Sequence, residues 1–289
     1  MKEGVLLTVW GSANWGKYLM QLVASIKFSN PNLPITVAHT GGAMSHIYGR
    51  YDEFKKHINL IEIPEKMYWC KDHYDYLKIK THLNELSPYK KTLYLDTDMI
   101  ALPKGKTLHS LINSFEDKLV IQNRGCMNIK EVTETPALWA DVGEIKENYN
   151  IKEGVYYNLA SEFIYFEKCK EVTKFFKDAQ KIYENPKVSF KRFSGGMPDE
   201  LALSISLLKN NIQLKSPFLP VYWEASERKN LKQHELYDNY YAYSIGGNLP
   251  AQGMDKMYDN LARFFTNWSG IPFFPYSPKR RWVKDRHTR

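Results

Sequence analysis

The run Val5-Leu-Leu-Thr-Val-Trp10 constrains the fold more than any other stretch of the chain. A strand with one wet face alternates polar and apolar residues. This run carries no charge and does not alternate, so it predicts a strand buried on both faces of a parallel sheet. Gly11-Ser12-Ala13-Asn14 reads as the loop that follows. Leu19, Leu22, Val23 and Ile26 recur at helical spacing within 17–28, Asn30-Pro31-Asn32 stops that helix, and 35–38 is a second strand. The opening is thus a βαβ unit. Further along, 60–63, 92–95, 119–121 and 163–166 read as strands. Helical patterns cover 51–57, 76–86, 172–183 and 200–209. The alternation predicts an α/β fold with a largely parallel central sheet flanked by helices. Past Ser216 the chain is aromatic and rich in turn residues. A core of 1–215 and a substrate-shaping extension of 216–289 follow as the expected organisation.

Composition narrows the class. No apolar run approaches the length that crosses a bilayer, and the start of the chain lacks the pattern of a signal peptide. Cys70, Cys126 and Cys169 are odd in number and unpaired in spacing, as expected of reduced thiols in a cytoplasmic protein. Cys70-x-x-His73 is half of a zinc spacing without its other half. The net charge is +8, and residues 279–289 supply five of those charges, with six Lys or Arg against Asp285. Such a basic tail is either a solvated end or a contact for something anionic.

Chemistry concentrates in Lys91-Thr-Leu-Tyr-Leu-Asp96-Thr97-Asp98. Thirteen Asp in 289 residues produce about 0.6 Asp-x-Asp triplets by chance, so the triplet alone decides nothing. Its position does. The carboxylates directly follow an apolar strand, and open α/β sheets bind ligands beyond the carboxyl ends of their strands. An acidic pair there is costly unless a cation neutralises it. Mn²⁺ or Mg²⁺ takes carboxylate oxygens and bridges readily to a diphosphate. The competing reading is a solvated acidic turn.

Tyr94-Leu95-Asp96-Thr97-Asp98 resembles the metal-binding signature of GT-A fold glycosyltransferases, especially the glycogenin and lipopolysaccharide galactosyltransferase group, and the likeness extends over about 4–210. The resemblance implies a nucleoside-diphosphate sugar donor, with UDP as the nucleotide, and a metal held by Asp96 and Asp98. It implies that Thr8, Val9, Trp10 and Ser12 clasp the nucleotide, with Thr97 inside the signature. A basic residue on the preceding helix is expected to reach the phosphates: Lys78 first, Lys80 second. In Tyr157-Asn158-Leu-Ala160-Ser161-Glu162, the chain has Ser161-Glu162 where the group has a small-Gly pair beside the donor sugar. Asp199 and Glu200, after Gly195-Gly196-Met197-Pro198, are the catalytic candidates facing the reacting sugar or acceptor hydroxyl. Their plain alternative is an N-cap Asp and a first-turn Glu. The group's C-terminal His ligand has no counterpart in Tyr243-Ser244-Ile245-Gly246-Gly247-Asn248, which leaves Ser244, Asn248 or water to complete a metal shell.

The aromatic clusters Tyr68-Trp69-Cys70-Lys71-Asp72-His73-Tyr74 and Tyr222-Trp223-Glu224 suit sugar stacking, although core packing explains aromatics more often. The basic tail with Trp282 raises DNA as an acceptor, as in phage enzymes that glycosylate hydroxymethylcytosine. Glycan, lipopolysaccharide or protein acceptors are the alternatives. A nucleotidyltransferase and a non-enzymatic binding module are the rival functions.

Overall fold

The computed structural model describes residues 2–11, 14–44, 47, 52–71, 73–103, 107–131, 139–193, 196–223, 233–245 and 254–270. The strands, in chain order, are β1 (Glu3–Val9), β2 (Ile35–His39), β3 (Asn59–Glu62), β4 (Trp69–Cys70), β5 (His73–Tyr74), β6 (Lys91–Leu95), β7 (Met99–Ala101), β8 (Leu119–Asn128), β9 (Val155–Glu167), β10 (Val221–Trp223) and β11 (Ala242–Ser244). Six of them form one sheet in the order β3-β2-β1-β6-β9-β8. From β3 to β6 the strands are parallel, and β9 and β8 then pair antiparallel.

β1 lies at the middle of the parallel half. Val5, Leu7 and Val9 enter one hydrophobic cluster and Leu6 the cluster on the opposite face. Both faces are covered, which is why the sequence of β1 does not alternate. Gly4 is required at its start: the Tyr89 ring lies over it, and a Cβ there would come within 2.4 Å of that ring. The helix Asn14–Ser29 follows and returns the chain to β2.

Three expectations need correction. β9 runs for 13 residues, not four: its first half is largely buried, but Asn158 and Ser161 interrupt the apolar residues there and leave no clean strand pattern. The 76–86 stretch is a 3₁₀ helix, Tyr76–His82, leading into one turn of α-helix, Leu83–Leu86. Asp75 starts it, its carboxylate accepting from the Leu77 amide at 3.3 Å. The 51–57 stretch keeps only the short helix Asp52–Lys55.

Residues after 216 do not stand apart from the first cluster. β11 pairs with β7, the strand directly after the acidic triplet, and β10 pairs with β11. Tyr258, Leu261, Ala262 and Phe265 of the helix Met254–Ser269 share a core with Val5, Leu19 and Leu22. No helix among the described residues is long and apolar enough to cross a membrane.

Candidate active site

The acidic triplet emerges where β6 ends. Leu95 makes the last β6 pair with Leu7 of β1, and the next residue, Asp96, donates its backbone N–H to the Glu162 carbonyl on β9 at 3.0 Å. Both Asp96 oxygens are engaged. Tyr94 donates its hydroxyl to Oδ1, and Lys80 Nζ donates to Oδ2 at 2.8 Å. Tyr94 OH is also within 3.0 Å of Thr8 Oγ1, and Lys80 donates to Ser161 Oγ at 3.0 Å. One hydrogen-bonded chain therefore ties β1, β6, the 3₁₀ helix and β9 together beneath the triplet.

Lys80 is buried, and its ammonium lies 3.6 Å from Asp199 Oδ2 as well as against Asp96. Burial alone would depress the Lys80 pKa, but the Asp199 and Asp96 carboxylates outweigh it and hold the ammonium well above its ordinary value. Asp98 is buried beside Asp96, and its carboxyl is pushed up to about 7 by burial, then by the Asp96 and Glu162 charges. Glu162 is likewise raised to about 7, by burial and then Asp96, while its Oε1 accepts from Gln122 Nε2 at 3.0 Å and its carboxylate also bonds Ser244.

Asp199 and Glu200 open the helix Asp199–Lys209. The N-cap is Pro198, which offers no side-chain bond, so Asp199 is not the cap that the sequence suggested. Asp199 Oδ2 is buried and accepts no hydrogen bond from a described residue. Glu200 is fixed from two sides: Trp139 Nε1 donates to Oε2 at 2.7 Å and the Ser161 amide to Oε1 at 3.3 Å. Burial, then Asp199, raises it to about 7. The approach to this helix is also clamped. A Cβ at Gly196 would fall 2.2 Å from Asp75 Oδ2, so only glycine admits that carboxylate, and Tyr183 donates to the Met197 carbonyl at 2.7 Å. The result is five carboxyl groups, Asp96, Asp98, Glu162, Asp199 and Glu200, gathered around the Lys80 ammonium.

Not every residue drawn from the sequence faces this cluster. Lys78 turns away, donating to the Lys66 and Trp69 carbonyls at 3.1 Å each and pairing with Glu184 at 3.0 Å. A 3₁₀ helix has about three residues per turn, so positions two apart point about 120° from each other. Lys80, the second choice, is the lysine at the acidic site. Thr8 spends its hydroxyl on Tyr94, and Val9 is in the core with its carbonyl accepting from the Thr40 amide at 3.1 Å. Trp10 is partly exposed past the end of β1, against the second cluster, and Thr97 is buried. Ser12, Asp72, Gly195, Glu224, Gly246, Gly247, Asn248 and the tail 279–289 lie outside the described residues. Gln122 and Trp139 escaped sequence reasoning, since each reads as an ordinary strand or loop residue, and Tyr94 was read only as the first residue of the signature. Among the described residues, no group of three or more His, Cys, Asp and Glu is arranged to hold a metal ion.

No family model matches the sequence, and no curated protein matches it. Solved structures do match. The bifunctional glycosyltransferase WbbM in its apo form superposes with a TM-score of 0.57 and 13% identity, over 93% of this chain and 50% of its own. The galactosyltransferase LgtC, in complex with donor and acceptor sugar analogues, gives 0.52 and 13% over 92% and 95%. The glycosyltransferase GlyE of Streptococcus pneumoniae, in its apo form, gives 0.55 and 10% over 96% and 66%. The chain thus spans half the length of WbbM and nearly all of LgtC. It has the fold of these glycosyltransferases.

Proposed function

We propose that this protein is a glycosyltransferase that moves a sugar from a nucleoside-diphosphate sugar, with UDP as the nucleotide, to an acceptor hydroxyl with help from a divalent cation. The observation that carries the proposal is the strand-terminal Asp96-Thr97-Asp98 with the Lys80 ammonium drawn against Asp96, in a glycosyltransferase fold. A nucleotidyltransferase remains the rival enzyme, and it would release pyrophosphate.

Carboxylate oxygens are the ligands a hard cation takes, and two of them, on Asp96 and Asp98, come from the triplet, while among the described residues no three such groups are arranged to hold one. Asp98 and Glu162 are pushed up to about 7 by burial and by neighbouring carboxylate charge, an imbalance that a divalent ion would relieve. Asp96 and Asp98 would hold Mn²⁺ or Mg²⁺, which when bound supplies charge stabilisation to a departing diphosphate. Lys80 contributes a fixed positive charge at the same place. Asp199, whose Oδ2 pairs with the Lys80 ammonium at 3.6 Å but accepts no hydrogen bond from a described residue, is available to accept a hydrogen bond from a reacting hydroxyl. Glu200, held by Trp139 and Ser161, fixes the wall beside it. If Asp199 takes that role, Asp199→Asn should keep nucleotide affinity while transfer falls about tenfold or more. A loss of melting temperature with unchanged turnover per folded molecule would reduce it to a structural residue.

The test of the reading is incubation of the full chain with a panel of nucleotide sugars, with and without Mn²⁺. Metal-dependent release of free nucleoside diphosphate is expected, and pyrophosphate in its place would select the rival. A DNA acceptor, reached in the cytoplasm, rests on the basic tail 279–289. Duplex binding should weaken steeply with salt, and the slope should flatten when the chain ends at Pro278. An unchanged slope would leave glycan, lipopolysaccharide or protein acceptors.

A further inference from the structure

Taking the transferase reading above as its premise, we infer that Asp75 is a positioning residue. Its carboxyl, seated on Gly196 and bonded to Tyr183, locks the 3₁₀ helix that carries Lys80 to the start of the helix that carries Asp199 and Glu200.

The lock is built from both ends of one buried side chain. Asp75 follows β5, and its amide donates to the Tyr68 carbonyl at 2.7 Å. Its Oδ1 accepts from the Leu77 amide at 3.3 Å and so starts the 3₁₀ helix, with Lys80 five residues on. Its Oδ2 lies so close over Gly196 that a Cβ there would fall 2.2 Å away, and Asp199 comes three residues later. The Lys80 ammonium and Asp199 Oδ2 then meet at 3.6 Å, which closes a ring through the two short segments. Tyr183, near the end of the helix Lys170–Glu184, braces the ring from a third side. Its hydroxyl donates to the Met197 carbonyl at 2.7 Å and also bonds the Asp75 carboxyl.

Counting protons shows what Asp75 contributes. A tyrosine hydroxyl has one proton to donate. Tyr183 gives it to the Met197 carbonyl, so toward Asp75 the phenol oxygen is the acceptor. That bond closes when Asp75 is neutral, donating to Tyr183 while still accepting from Leu77. Burial raises the Asp75 pKa and the Asp199 charge adds to it, against Tyr183, Leu77 and His73, which lower it. A neutral Asp75 braces Lys80 and Asp199 without competing for the ammonium. Loosening it lets Asp199 drift, and a misplacement of about 1 Å can cost about 100-fold in rate.

The experiment compares Asp75→Ala, Gly196→Ala and Asp75→Asn as full chains with Mn²⁺. UDP binding is measured by calorimetry, and turnover as UDP released from the UDP-sugars of the panel above. The two Ala variants are expected to lower turnover about 30- to 100-fold, with UDP affinity within about threefold of the parent. Asp75→Asn keeps an acceptor for Leu77 and a donor for Tyr183, and should restore turnover to within about fivefold. Equal damage from Asn and Ala, or unchanged turnover per folded molecule in the Ala variants, overturns the positioning role. A second measurement does not depend on transfer. In a double-mutant cycle of Lys80→Met and Asp199→Asn, followed by denaturant titration, the coupling should fall by at least about half in the Gly196→Ala background. Unchanged coupling there overturns the lock. If the parent releases UDP from no sugar of the panel while the coupling still falls, the transferase reading fails and the lock stands.

Discussion

The two halves of the central sheet reach the same cleft by different routes. β1 and β6, in the parallel half, deliver residues at their carboxyl ends: β6 stops at Leu95 and Asp96 is the next residue. In the antiparallel half, β9 passes the cleft in mid-strand, so Ser161 and Glu162 reach it while the strand continues to Glu167. Alternation then separates the two neighbours. The Ser161 hydroxyl faces Lys80, and the Glu162 side chain faces Gln122 and Ser244. A parallel strand places function where its hydrophobic pattern ends. An antiparallel one places it inside the strand, where polar residues look like a break in the pattern.

The sharpest break in this comparison comes from the lysine that joins the halves. Lys80→Met leaves Asp96 and Asp199 without their shared cation, and should cost about 3–5 kcal/mol of stability together with most of the activity. Denaturant titration measures the first. Wild-type stability in that variant would mean the halves are not coupled through Lys80.

Asp98→Asn tests the parallel half alone. Turnover should fall at least about 100-fold, equivalent to about 2.7 kcal/mol, because a charge-stabilising group is lost from the cation site. Full activity of this variant in chelator would remove the triplet from the mechanism.

Lys78→Met is the matched control for Lys80. Its two carbonyl bonds and the Glu184 pair predict a stability loss of about 1–2 kcal/mol, with turnover per folded molecule within about twofold of wild type. A large loss of donor affinity would restore Lys78 as the phosphate contact.

A pH dependence is shared by both halves. Asp98, Glu162 and Glu200 titrate near 7 when folded and near 4 when unfolded. Between those values the folded chain binds more protons, so stability present below about pH 4 is lost as pH rises toward 7. Metal-free protein should melt several degrees lower at pH 8 than at pH 5.5, and Glu200→Gln should narrow the gap. A rise in melting temperature across that interval would contradict the raised values.

The sequence by itself determined the βαβ opening, the buried β1 and β6, and the place of Asp96 and Asp98. Each is a local signal: an unbroken apolar run needs two covered faces, and the triplet sits directly where such a run stops. Only the tertiary structure decided that Lys80 and not Lys78 faces the carboxylates, since positions two apart diverge in either kind of helix and packing selects which of the two turns to the site. Only it brought Gln122, Glu162 and Ser244 together, residues 40 and more positions apart whose meeting depends on antiparallel pairing and on β11 joining β7. Strands of three residues such as β10 and β11 are too short to show a period, so their partners were fixed by packing.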